Sequence, residues 1–455
     1  MSVNTRVVVI GGGFAGVAAA ASLRHRGVDV VVLDDHAALG GRARSDVLDG
    51  LLVDTGAQLI ATTFTRTLAL LRADDAAAPA RDDARARGGD TLHRVPGRDV
   101  FVRGAERLPI QFGSIRSLLG FAGLGARDKL RLARHLLPAI AAHRAALDAA
   151  ATRVPPSLDA DTARGWMHAR VGPDATALLV EPPLNGFYAT RGDEASLAFF
   201  LMLGRYGSEG DVLAPVSGWS HALMGALRGA RHEPGVAVRA LERDGADVVA
   251  HAQDGRAWRA SAAVIATGPR TARSLLAPLA PAHHELLRWL DAVPMRPTWT
   301  LALALDAAPP RDTFGAFHDA RDARLVSACA VAGATRPDFP AERDVVLAWP
   351  TPDAVQRLGG ASAERIAGAM LPEIEALVPG ARGHVTRGRV YRFAEGTPVA
   401  HAGFGADRAR ARALADALPR DLALAGDYLA APLIEGAVAS GSAAGERVAA
   451  ALEPR

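Results

Sequence analysis

Hydrophobic residues fall into runs of different period along this chain, and the first change of period comes at a cluster of glycines. Residues 6–10 hold three consecutive valines and an isoleucine, the run expected of a strand buried on both faces. Gly11-Gly12-Gly13-Phe14-Ala15-Gly16 follows, and residues 17–26 then carry alanine and leucine at helical density up to Gly27. Residues 28–33 form a second β-branched run that ends in Asp34. Strand, glycine turn, helix and strand predict a βαβ unit.

Further along, the pattern is mixed. Residues 72–90 repeat alanine, aspartate and arginine and predict a solvated loop or helix end. Residues 114–150 and 161–203 have helical spacing, the second with a break at Pro182-Pro183. Residues 236–251 predict a hairpin turning at Asp244-Gly245. Strand patterns recur at 262–268, 298–305 and 344–348, and an amphipathic helix is predicted over 361–377. A short strand over 422–426 and a helix rich in small residues over 436–452 close the chain. No period repeats. This order predicts an α/β fold with interleaved domains. One is a Rossmann-like dinucleotide-binding domain drawn from residues 1–70, 210–270 and 385–455. The other is a substrate domain of mixed sheet and helices from 71–209 and 271–384.

Composition narrows the function. The chain has 455 residues, beyond the roughly 250–300 at which single cores stop growing. Fifty-two basic and 49 acidic residues nearly cancel, without the basic stripe of a nucleic-acid binder. Cys329 is the only cysteine, so neither an internal disulfide nor a cysteine metal cluster is expected. The 14 histidines give no metal pair, since His283 and His284 are neighbours on a predicted helix and point apart. No metal is expected. The apolar run 7–23 is too glycine-rich for a signal peptide, and no membrane-length apolar stretch follows. The expected location is the cytoplasm.

The glycines carry the first chemistry. In Gly11-x-Gly13-x-x-Gly16, Gly11 permits the tight turn, Gly13 admits a pyrophosphate, and Gly16 lets strand and helix pack closely. The helix start at Phe14 and Ala15 offers free N–H groups to phosphate. Asp34, 18 residues after Gly16, suits a ribose hydroxyl and disfavours a 2′-phosphate. Gly40-Gly41-Arg42 then adds two residues that let the loop approach a ligand and one forked donor for its phosphates.

With these motifs the chain resembles the flavin amine oxidase, protoporphyrinogen oxidase and phytoene desaturase superfamily. The match extends to Gly426-Asp427-Tyr428 and Ile434-Glu435-Gly436-Ala437 near the C-terminus. The resemblance implies FAD, with Gly11, Gly13, Phe14, Ala15 and Gly16 at its pyrophosphate and Asp34 at the adenosine ribose, and with no cysteine near the C-terminal segment it is expected to be held non-covalently. It places Gly40, Gly41 and Arg42 on the pyrophosphate and flavin side, Val238 near adenine, and Asp427 on the ribityl chain. The N–H groups of Gly436 and Ala437 are expected to face the flavin's pyrimidine edge, where a helix N-terminus stabilises negative charge.

Within that superfamily two departures matter. The strand stretch that often carries a lysine in amine oxidases reads Met295-Arg296-Pro297-Thr298-Trp299-Thr300, and the one lysine of the chain is Lys129. The usual tryptophan of an aromatic pair is also missing, leaving Phe393 and Tyr428 as candidate walls beside Tyr188, Phe187 and Trp349. Glu181-Pro182-Pro183-Leu184-Asn185-Gly186-Phe187-Tyr188 resembles the protoporphyrinogen oxidase and desaturase side instead. The expected activity is therefore dehydrogenation of a large apolar substrate, with oxygen or a quinone as acceptor and no obligatory protein acid or base. The alternatives are an amine oxidase that forms an imine and hydrogen peroxide, and a non-catalytic flavin binder. The basic, leucine-rich stretch 118–137 is a candidate for peripheral membrane contact.

Overall fold

The computed structural model describes residues 2–72, 91–95, 98–111, 114–151, 153–336 and 338–453. The stretch 73–90, predicted to be solvated, lies outside them.

Two seven-stranded sheets organise the chain. In the first, Arg231–Pro234, Val30–Asp34, Ser2–Ile10 and Ala257–Ile265 run parallel, and Leu422–Leu424 joins Ala257–Ile265, also in parallel. The antiparallel hairpin Val238–Asp244 and Asp247–Ala252 extends the far edge, turning where Asp244-Gly245 predicts. The valine run of the first strand serves both faces. Val7 and Val9 pack under the helix Phe14–His25, while Val8 and Ile10 join Leu275, Leu276 and Trp289 on the opposite side.

Register brings the site together. Ile10 pairs with Leu33 and with Ile265, and Ile265 pairs with Leu424. Four strands thus end level, and their carboxyl ends release the segments beginning at Gly11, Asp34, Ala266 and Ala425 along one edge, where open α/β sheets bind ligands. Close helix packing locks that edge. A Cβ added at Gly441 would lie 2.0 Å from the carbonyl oxygen of Ala15, and one at Gly445 would lie 2.6 Å from that of Ala19. The small residues of the last helix, Ile434–Leu452, therefore let it cross the Phe14–His25 helix at backbone contact.

The second sheet has the order Val385–Pro398, Met295–Leu305, Asp344–Pro350, Val326–Val331, Thr313–His318, Arg98–Arg103, Glu106–Ile110. Trp299, Leu301 and Leu303 pack under the helix Ala363–Leu377. Ala302, Ala304, Ala328, Ala330, Leu347 and Trp349 face the other way, towards the helical layer and the first sheet.

Two sequence expectations change. The strand Val385–Pro398, assigned by sequence to the dinucleotide domain, is paired along Met295–Leu305 and so belongs to the second sheet. Pro182-Pro183 does not break a helix but opens one. The π-helical turn Thr176–Val180 runs into the helix Glu181–Tyr188, and the prolines sit in its first turn, where no N–H is needed. Among the described residues no helix is long and apolar enough to cross a membrane.

Candidate functional site

The glycine turn is built as an open cradle. Gly11 has φ +104°, and a Cβ there would sit 2.7 Å from the carbonyl oxygen of Ala266. A Cβ on Gly16 would fall 1.8 Å from the oxygen of Gly11, so that glycine is needed for the turn to fold against its own helix. Gly13 differs: nothing lies within 4 Å of a Cβ built on it. The helix it begins has no acidic residue in its first turn and no side-chain cap, which leaves the amides at Phe14 and Ala15 to an outside acceptor. Gly41 closes over the same space, its added Cβ 3.4 Å from Gly13 Cα. Both loops leave a glycine-lined gap of the kind a pyrophosphate fills.

Asp34 stands at the adjacent strand end, 5% exposed. One carboxylate oxygen accepts the Gly12 N–H and the other accepts the His36 N–H at 2.8 Å, which aims the group while leaving lone pairs free. Burial raises its pKa against these two bonds. Val236 donates its N–H to the Asp34 carbonyl at 2.6 Å, so half-buried Val238 lies two residues beyond a direct tie to the ribose-side acid.

Arg42 reaches across to the C-terminal segment. Its Nη2 donates to Asp427 Oδ1 at 2.8 Å and its Nη1 to the Gly396 carbonyl at 2.8 Å. Gly40, at φ +116°, turns the loop that delivers it. Gly426 is required by packing, since a Cβ there would strike the Tyr428 ring at 2.3 Å. Gly436 is held against the Ala431 carbonyl, 2.1 Å from its added Cβ.

Two of the expected residues move. The N–H of Ala437 is already donated to the Leu433 carbonyl at 3.0 Å, so among the described residues the unpaired donors of the last helix are those of Ile434, Glu435 and Gly436. Tyr428 is no pocket wall. It is 2% exposed, and its ring lies 6.1 Å from that of Trp289 in the core on the far side of the first sheet. The strand-to-helix connection has to bury one large side chain there, and the residue after Asp427 points that way.

Sequence reading overlooked Glu435 as a functional side chain. It is 1% exposed and accepts four hydrogen bonds, from Arg66 N–H at 3.0 Å, Arg66 Nη1 at 3.3 Å, Thr67 N–H at 2.9 Å and Thr67 Oγ1 at 2.8 Å. It thereby anchors the start of the last helix to the helix Thr65–Leu71, offsetting that helix's positive end. An acid flanked by apolar residues just before a Gly-Ala helix start is the signal that could have found it.

The second sheet supplies the facing wall. Thr298 pairs with Phe393 and Thr300 with Tyr391, all on the side opposite Trp299 and Leu301. Phe393 lies under the Arg44 guanidinium, 5.9 Å from ring centre to Cζ. The Tyr391 hydroxyl donates to Asp46 at 2.9 Å, and burial pushes its pKa up to about 12. Ala328 separates Phe317 from Trp349 across the strands, and Phe187 fills that gap, edge-on to both rings at 5.5 Å. Tyr188 turns instead to the helical layer, edge-on to Phe199 at 5.0 Å. Lys129 lies on the exposed helix Ala126–Ala142, its Nζ donating to the Leu119 carbonyl. The wall is thus threonine, alanine and aromatic, with no lysine on the Met295–Leu305 strand.

Comparison with known proteins agrees with this geometry. The family model described as flavin containing amine oxidoreductase matches residues 14–449. A protein assigned as a protoporphyrinogen oxidase from Exiguobacterium sp. superposes with TM-score 0.72 at 18% identity, covering 98% of this chain and 99% of that one. A putrescine oxidase solved with putrescine gives 0.71 at 16%, with 99% of both chains covered. Cyclohexylamine oxidase from Brevibacterium oxydans gives 0.71 at 17%, covering 99% of this chain and 100% of that one. At such identities these neighbours establish the fold.

Proposed function

The chain belongs to the flavin-containing amine oxidoreductase family, and from that premise we propose that this FAD-dependent oxidoreductase dehydrogenates a neutral, largely apolar carbon substrate rather than an amine. The supporting observation is that Thr298, paired with Phe393, lies on a strand, Met295–Leu305, that holds no lysine and no carboxylate.

When bound, FAD supplies the hydride acceptor, its N5 atom. The residues of the chain need then do three things. Gly13, Gly41, Arg42, Asp34, Asp427 and the start of the last helix hold the cofactor at the carboxyl edge of the first sheet. The second sheet would present Thr298 and Phe393 to the substrate's C–H bond. Trp349 and Phe393 would keep water from the substrate, since closing a site to water prevents side reactions. The acceptor that restores the cofactor is oxygen or a quinone. Exposed Leu119, Leu130 and Leu137, near Arg127, Lys129 and Arg134, would serve as a peripheral membrane contact for an apolar substrate.

An amine-oxidising enzyme on the same fold releases ammonia and hydrogen peroxide together from primary amines. Assaying both products over a panel of mono- and diamines tests the reading. The expected result is no ammonia above background, and stoichiometric ammonia and peroxide would replace this proposal with the amine oxidase one.

A further inference from the structure

Outside the flavin cradle, the helix Phe404–Asp416 carries Arg408 and Arg412 one turn apart. Arg408 is 1% exposed, yet Nε, Nη1 and Nη2 have no hydrogen-bond partner among the described residues. Its guanidinium stacks over Phe404, with Cζ 5.5 Å from the ring centre. Stacking occupies a face of the guanidinium, whereas its five N–H bonds radiate from the edge, so the ring satisfies none of them.

The neighbours do not supply an acceptor for these donors. Arg412 donates Nε to the Leu429 carbonyl at 2.8 Å and Nη1 to the carbonyls of Ala150 and Ala151 at 3.1 and 3.2 Å, all neutral acceptors. Asp159 acts on Arg408 through space but accepts the N–H groups of Gly405 and Ala406, at 2.7 and 2.9 Å. Asp148 is likewise in range but is bonded to Arg66 and to the Ala150 N–H. Burial first, and Arg412 second, push the Arg408 pKa down to about 10, so the group stays charged at neutral pH. Arg408 thus lies inside the protein with no carboxylate hydrogen-bonded to it among the described residues, attracted through space by Asp159 and Asp148, while Asp416 attracts the half-buried Arg412. Buried charges in folded proteins are paired.

We propose that Arg408, with Arg412 beside it, is a binding site for a small monovalent anion of formate or chloride size, seated in the plane of the Arg408 fork. A planar carboxylate fits the edge donors two at a time, and a halide takes the same in-plane position. The occupant has a structural consequence. Arg412 grips the Leu429 carbonyl, in the turn between Asp427 and the start of the last helix. An anion beside the two arginines lessens their repulsion and so steadies the turn that joins two cofactor-binding segments. The inference is independent of which substrate the enzyme takes.

The test is the thermal midpoint of the holoenzyme, titrated with sodium formate and sodium chloride at ionic strength held constant by gluconate, which is too bulky for a closed interior. The wild type is expected to show a saturable rise of a few degrees. Arg408→Met is expected to give a flat curve and, in gluconate alone, a midpoint at or above that of the wild type. A wild-type curve that is flat, or an Arg408→Met curve that rises in the same way, overturns the proposal. Should Arg408→Met not fold, the chloride-35 line width of the wild-type holoenzyme decides. Excess broadening abolished by formate supports the site, and the absence of excess broadening rejects it.

Discussion

The guanidinium of Arg42 and the carboxylate of Asp427 meet at 2.8 Å, although 385 residues separate them in the chain. Each follows a strand of the first sheet, and the level strand ends bring the two loops to one edge. The pair joins the segment after the glycine turn to the segment before the last helix. Asp427 is 6% exposed, so Arg42 takes the place of water beside its carboxylate.

Asp427→Ala should loosen FAD by tenfold or more, about 1.4 kcal/mol at the lower bound. The figure is kept low because the Arg42 side chain retains 41% exposure and water would replace part of the lost partner. Flavin fluorescence on titration of apoprotein measures it. An unchanged affinity would mean that the pair only braces the fold.

Two glycines of the cofactor turn, Gly13 and Gly16, should fail in different ways. Gly13→Val has open space at its Cβ and should fold with an unchanged far-ultraviolet spectrum but bind no FAD, because the side chain fills the pyrophosphate gap. Gly16→Val meets the Gly11 carbonyl at 1.8 Å and should not fold. Purification of Gly13→Val with full flavin content would show that the pyrophosphate lies elsewhere.

These contrasts show how far the residues could be read unaided. The Gly11–Gly16 turn, Asp34 and the hairpin at Asp244-Gly245 are local patterns, fixed by neighbours a few positions away, and they were legible. The direction in which Tyr428 points was not, because it depends on a core shared with Trp289 from a distant helix. The partner of Val385–Pro398 is chosen by long-range pairing with Met295–Leu305, and no local signal names the sheet. Ala437 was displaced by one position for a similar reason. Where a helix begins decides which amides are free, and Leu433 starts this one.

Stability should fall with pH around Asp99. Burial raises its carboxyl from 3.8 to about 7, against one bond from the Gly315 N–H at 3.1 Å. A raised carboxyl pKa means that the folded protein holds the proton more tightly than the unfolded chain. The stabilisation is therefore full below pH 4 and is lost as pH rises through about 7. Relative to Asp99→Asn, the wild type should lose on the order of 2 kcal/mol between pH 5 and pH 8, less than the full shift implies because the side chain is only partly covered. Denaturant midpoints at the two pH values measure this, and parallel behaviour of the two proteins would contradict it.

FAD should be released by acid. Cys329 is wholly buried in the second sheet, with its thiol pKa pushed up by burial, and is placed among Val326, Val331 and Trp299 rather than at the cofactor edge. Precipitation with trichloroacetic acid should leave the yellow colour in the supernatant. Colour retained in the pellet would reveal an attachment through another residue.

The most direct measurement is the absorbance spectrum of the purified protein during anaerobic addition of candidate substrates. The account predicts flavin bands, bleached by an apolar substrate with a saturated carbon–carbon bond to oxidise, such as a polyene precursor or a porphyrinogen, and unaffected by amines. Absence of flavin bands after reconstitution with FAD, or bleaching by amines alone, would contradict it.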